Sequence, residues 1–272
     1  MNTLVVSRGI LDRSVVELLR AIPLIERPAF ALSVCARHLL GYGKACPPPP
    51  TDAAFEGMVK TGNFANESLR LIARRRPGVV VISQEAGQPG SLARLASDGV
   101  CLLNRGRTPV LLLPTVCSAP PGGRVIIAAT CTGAPSVADG TRISELLDLT
   151  GSEVVVISIA PPFYPPFSRV SLGMRRYESK ALHEVWDEQA GEATAQAGLI
   201  AAQLTACGRK PLFVGRTGRF AEEVSQASRS ADTSLVCLLI DQRARKRLSK
   251  SVLLELFEKA NAPVMLVPSA AR

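Results

Sequence analysis

The stretch from Asp241 to Val252, DQRARKRLSKSV, places Arg243, Arg245, Lys246 and Arg247 almost side by side, followed by Lys250 between Ser249 and Ser251. Cations beside small hydroxyls are suited to holding a phosphate. They supply charge-assisted hydrogen bonds, and a helix that follows adds free amides and the positive end of its dipole. Arg245, Arg247, Lys250 and Ser251 are therefore the candidate anion-binding residues. The competing reading is a solvated basic turn between a buried strand and an amphipathic helix, capped by Ser249 or Ser251. Sequence leaves both open.

Other chemistry finds little support. GRTGR at 215–219 has the look of a glycine-rich phosphate turn, but its place after a strand and before a helix suits an ordinary βα turn. His183 falls on a predicted helix near Trp186 and has no recognisable partner for general-base work. Seven cysteines form no CxxC pair, and Cys35, Cys131 and Cys237 lie in or beside apolar runs, so they read as small core residues. Cys46 and Cys117, in Pro-rich loops, are the places where a redox thiol is conceivable, though no electropositive setting accompanies them. With His38 and His183 the only histidines, no metal-ligand spacing emerges. Neither Ser7 nor the ATCTG segment has a triad context. No catalytic constellation is found.

Composition sets the frame. The chain has 272 residues, 47% of them hydrophobic, enough for two domains with real cores. Its apolar runs are too short to cross a membrane, and MNTLVVSRG lacks the pattern of a signal peptide, which leads to the expectation of a soluble cytoplasmic protein. A net charge of +9 points toward anions. The cations are spread along the chain apart from Ile72–Pro77, IARRRP, and the loop after Asp241, and only 4% of residues are aromatic, so a nucleic-acid partner is set aside.

Two halves follow one plan. TLVVS, FALSVCA, GMVKTG, GVVVIS and PVLLLP are predicted strands of the first half, with a segment from Arg37 to Pro50 that leaves room only for a reduced second helix. RVIIAAT, EVVVISIA, PLFVGRTG, TSLVCLLI and PVMLVP are those of the second, with a long helix from Tyr177 to Ala206. Aliphatic runs without polar alternation imply parallel strands covered on both faces. The halves match best at their ends, RTPVLLLP (107–114) against NAPVMLVP (261–268), and SAPPGG between them is linker-like.

This order, ending each time in a P-V-L-L-L-P-type strand, resembles the universal stress protein family in tandem form, over nearly the whole chain. The resemblance implies an α/β fold of two doubly wound domains, residues 1–116 and 124–272 joined by 117–123. Each is expected to have a five-stranded parallel sheet in 3-2-1-4-5 order. Family domains pair through their last strands, which would bring PVLLLP and PVMLVP together, and a further homodimer is conceivable.

Nucleotide-binding members carry G-x2-G-x9-G-S/T after the fourth strand, where glycines permit positive φ and close phosphate approach. The first half keeps that spacing with Ser83, Ala86, Ala96 and Ser97 in place of glycines and the final pair. In the second, Asp241 and Ala244 stand at the first two positions, the following interval is shortened, and Lys250–Ser251 ends the motif. The family's acidic residue beyond the first strand is replaced by Arg8 and by Thr130. What the resemblance implies is a non-enzymatic stress-response regulatory or interaction protein with degenerate nucleotide sites, no resident cofactor, and an unidentified protein partner. The alternative is a sensor that binds ATP, another nucleotide or a smaller anion with Thr130, Arg245, Arg247, Lys250 and Ser251.

Overall fold

The computed structural model describes residues 3–8, 13–24, 28–35, 56–84, 88–115, 117, 119–120, 122–130, 139–161, 175–230, 232–240, 250–260 and 262–269. The first half contributes β1 (Thr3–Arg8), α1 (Arg13–Ala21), β2 (Pro28–Cys35), β3 (Glu56–Thr61), α2 (Phe64–Arg75), β4 (Val79–Ser83), α3 (Ser91–Gly106) and β5 (Val110–Leu113). The second contributes β6 (Arg124–Thr130), α4 (Asp139–Leu146), β7 (Val154–Ala160), α5 (Arg175–Ala206), β8 (Leu212–Thr217), α6 (Phe220–Ala227), β9 (Thr233–Ile240), α7 (Lys250–Lys259) and β10 (Val264–Pro268). The segment 37–50, and with it the reduced helix expected there, lies outside the described residues, as do Cys46 and Cys131.

The strands lie in the order β3-β2-β1-β4-β5-β10-β9-β6-β7-β8, so each half counted from its own first strand reads 3-2-1-4-5. Every neighbouring pair is parallel except β5 and β10, which run antiparallel with Leu111 opposite Met265. Two five-stranded sheets are thereby one ten-stranded sheet. The cause is in the residues: Val110, Leu111, Leu112, Val264, Met265 and Leu266 are all 0% exposed, and such apolar edges left bare would invite intermolecular pairing.

Alternation along the strands sends side chains to two cores. On one face Val80, Ile82, Leu112, Val236 and Leu266 pack under α2, α3, α7 and α6. On the other, Val81, Leu111, Ile127, Leu235 and Met265 meet α1, α4 and α5. Both cores run unbroken through the β5–β10 seam, so the halves share their hydrophobic interior. Burial on this scale, at about 25 cal/mol per Å² of apolar surface, is the main stabilising contribution.

The antiparallel seam fixes what shares a rim. At the first rim lie the C-terminal ends of β1 and β4 and the N-terminal ends of β6 and β9. At the second rim lie the C-terminal ends of β6 and β9 and the N-terminal ends of β4 and β5. Because α3 and α7 each run back against their strands, they are antiparallel neighbours. The end of α3 and the beginning of the described part of α7 therefore meet at the second rim.

Candidate functional site

In doubly wound sheets the ligand crevice opens beyond the C-terminal strand ends where the order reverses, here between the first and fourth strands of each half. At the first rim β1 ends on Arg8. Its Nε donates to Asp98 Oδ2 at 2.9 Å and its Nη2 to Oδ1 at 2.9 Å, a bidentate pair with α3. The same guanidinium lies 4.4 Å from the ring centre of Phe64, the first residue of α2. That helix is held in place by its cap, Asn63, whose Oδ1 accepts from Asn66 N at 3.2 Å. Arg8 thus joins β1, α2 and α3. Burial raises the Asp98 carboxyl above its ordinary range, outweighing the opposing pull of Arg8 and then Arg94.

The neighbouring polar groups also satisfy one another. Gln84 Nε2 donates to Ser91 Oγ at 2.8 Å, while Gln84 Oε1 accepts from Thr115 N at 2.8 Å. Arg94 Nη2 donates to Pro89 O at 2.7 Å. The remaining space among Arg8, Ser83, Gln84, Ser91, Arg94 and Asp98 is about 10 Å³, room for a single water. These residues do not fit a nucleotide triphosphate.

The motif positions explain why. Ser83 ends β4 at the crevice, but Ala96 is fully buried in the core and Ser97 is exposed as the seventh residue of α3. Ala86 lies outside the described residues. The helix begins at Ser91, after Gly90 with φ 68°. By Ala96 and Ser97 the amides belong to the helix interior, since α3 has begun five residues earlier. Alanine in place of glycine favours helix by about 1 kcal/mol per residue, so SLARLAS winds up where a glycine-bearing loop would stay open. The retained spacing does not bring these side chains together.

At the second rim the matching positions hold Thr130 and Val252. Thr130 ends β6, and its carbonyl accepts from Gln196 Nε2 at 3.4 Å. Gln196, buried on α5, accepts in turn from the Ser158 hydroxyl on β7. Val252 packs partly buried against the core, and Lys250 and Ser251 are exposed helical residues of α7. Arg245 and Arg247, with Asp241 and Ala244, lie outside the described residues, so the site expected to combine them with Thr130, Lys250 and Ser251 is represented here by the latter three.

The glycines of GRTGR prove to be packing positions. A Cβ on Gly215 would come within 2.2 Å of Thr194 N, and one on Gly218 within 2.7 Å of Glu223 Oε1. Arg216 donates to Glu223 at 3.1 Å, and the Gly218 amide donates to Ala160 O at 3.0 Å. His183 lies on α5. The Cys117 and Cys237 thiols are each pushed up to about 12 by burial, so both are protonated at neutral pH rather than poised as thiolates.

Sequence reading took Arg8 only as a lost acid and passed over Asp98. The signal was present: Asp98 sits on the helix stripe of Leu95, Leu102 and Leu103, where a lone carboxylate requires a partner. That partner is 90 residues away.

No family model matches the chain, and no curated protein does. Solved structures do. A universal stress protein from Archaeoglobus fulgidus superposes with a TM-score of 0.54 at 10% identity, covering 99% of this chain and 97% of the other. A functionally unknown protein from Pseudomonas aeruginosa gives 0.57 at 11%, covering 99% and 93%. The cytoplasmic domain of a prokaryotic cation chloride cotransporter gives 0.55 at 12%, covering 97% and 94%. At such identities the likeness speaks to architecture. Two 3-2-1-4-5 halves wound on both faces and joined through their last strands make this the fold of the tandem universal stress proteins.

Proposed function

We propose that this chain is a non-enzymatic, stress-protein-like regulatory or interaction protein of the cytoplasm, working without a resident nucleotide and through a protein partner. The observation that carries the reading is the Arg8–Asp98 pair. A basic residue stands where nucleotide-binding relatives have an acid, and the fold meets it with an internal carboxylate 8% exposed. Native mass spectrometry of small molecules that co-purify with the protein tests this. The expected spectrum contains no retained nucleotide. A stoichiometric nucleotide adduct would remove the proposal.

The second half supports a different reading, an anion or nucleotide sensor. Its Thr130 and Val252 cannot form the pair that closes the first crevice, and Lys250 and Ser251 are exposed beside it. In this reading Lys250 and Ser251, with Arg245 and Arg247, hold phosphate oxygens. A ligand bound at a hundred times its Kd stabilises the native state by about 2.7 kcal/mol, so ATP or inorganic phosphate should raise the melting temperature. The K250A/S251A variant should lose that rise. An unchanged rise in the variant would contradict the sensor reading.

A further inference from the structure

Two non-glycine residues adopt positive φ among the described residues, and both are arginines: Arg76 at 46° and Arg107 at 53°. Each terminates a helix in the left-handed conformation that glycine adopts without strain, Arg76 after α2 and Arg107 after α3. Both lead through a proline, Pro77 and Pro109, into adjacent strands, β4 and β5. The helix ends also touch, since a Cβ on Gly106 would lie 3.8 Å from Leu69 and 3.9 Å from Ile72. Strained backbone kept where glycine would be comfortable directs attention to the side chain.

What those side chains share is charge and position. Arg74, Arg76, Arg105 and Arg107 are exposed at the second rim, and the α3–α7 packing sets exposed Lys250 beside them on the same face. None of these five pairs with a carboxylate among the described residues. Elsewhere arginines do meet carboxylates: Arg8, Arg124 and Arg209 meet Asp98, Glu153 and Asp148 at 2.8, 2.9 and 3.8 Å, and Arg216 and Arg219, further along the second rim, meet Glu223 and Glu255 at 3.1 and 3.6 Å. A fold that only needed arginines to complement helix C-termini would not leave this one cluster without carboxylates while pairing its other arginines.

We infer that this rim is a docking surface for the phosphate backbone of a nucleic-acid duplex. The three helices α2, α3 and α7 stand about 8–10 Å apart, so the cations extend over roughly 20 Å, wider than one nucleotide's phosphates. A duplex presents a charge about every 1.7 Å along its axis and matches that width. Single strands require stacking platforms, and stable membrane association requires apolar anchors in addition to charge. Among the described residues the exposed large apolar side chains, Trp186, Leu199, Leu212, Phe213 and Val214, lie on α5 and β8, at the far end of the sheet. Along the chain Arg74 to Arg76 form one of two clusters among otherwise spread cations, and the scarcity of aromatics set nucleic acid aside; the winding of α2 and α3 onto neighbouring strands brings Arg105 to Arg107 beside that cluster. Phosphate contacts of this kind carry no base information, so binding is independent of sequence.

The test is fluorescence anisotropy with a labelled duplex of about 20 base pairs over a range of salt, at a release slope of about −0.9 per phosphate contacted. Wild-type protein should bind at low salt with a slope of about −4. The R76G/R107G variant should bind at least about tenfold more weakly with a slope smaller by about two. Its melting temperature should rise, because glycine relieves the left-handed positions. That opposite movement of stability and binding distinguishes a lost contact from a damaged fold. Wild-type affinity and slope in the variant would overturn the inference. So would absence of duplex binding at low salt, or binding to phosphatidylserine vesicles that excess duplex does not displace.

Discussion

The two crevices are the same piece of architecture with different chemistry at one pair of positions. In the first half Arg8 and Asp98 close the gap between β1 and α3; in the second, the uncharged Thr130 and Val252 occupy the matching places. The first crevice has become part of the core's support. In the second half, a neutral Ser158–Gln196–Thr130 chain ties β7, α5 and β6 together. The two crevices therefore differ in how they are held, the first by a charged pair and the second by neutral hydrogen bonds.

The strongest way to break this contrast is to restore the acid. Arg8→Asp would set two carboxylates in one largely buried gap, and stability at neutral pH should fall by about 3–5 kcal/mol in urea unfolding, with partial recovery in acid. If the variant instead gained nucleotide binding with little loss of stability, the crevice would be an intact site and not a structural clamp. Arg8→Ala or Asp98→Ala should each cost about 1.5–3 kcal/mol, the pair being partly solvent-facing through Arg8. The double variant should cost less than the sum of the single ones, and additivity would show that the two residues do not act together.

Gln196→Leu sharpens the comparison from the other side. It strands the fully buried Ser158 hydroxyl, and unfolding should show a loss of about 1–2 kcal/mol, smaller than that of the charged clamp. The pH dependence is subtler. Asp98 holds its proton to higher pH in the fold than its ordinary 3.8 allows, because burial outweighs the arginines. Over the window from that value up to the raised one the native state binds more protons than the unfolded chain. The Asp98 contribution therefore declines as pH rises through the window and is constant above it. Asp98→Asn should flatten that slope when stability is measured across acid pH.

Why the clamp was not legible from sequence follows from its length in the chain. Strand order was readable because each βα unit is local: aliphatic runs such as VVVI bounded by Pro and Gly declare a strand covered on both faces, and winding fixes the rest. The Arg8–Asp98 pair spans 90 residues and carries no local pattern beyond one acid on an apolar stripe. Ser97 belongs to the motif positions read as degenerate. Its spacing from Ser83 is preserved, but spacing survives the loss of glycine while loop geometry does not, and the segment became helix from Ser91. The arginines of the second rim were visible as residues, yet their convergence depends on β4 and β5 being neighbours.

The central claim, that this chain's first crevice is clamped by its own residues and does not take the family's ligand, is most directly tested by isothermal titration of ATP into nucleotide-free protein and into Lys250→Ala. A clamped first crevice gives no first-half binding: either no measurable heat, or a single weak site that disappears with Lys250. Micromolar binding that persists in Lys250→Ala and is abolished by Arg8→Ala would contradict it.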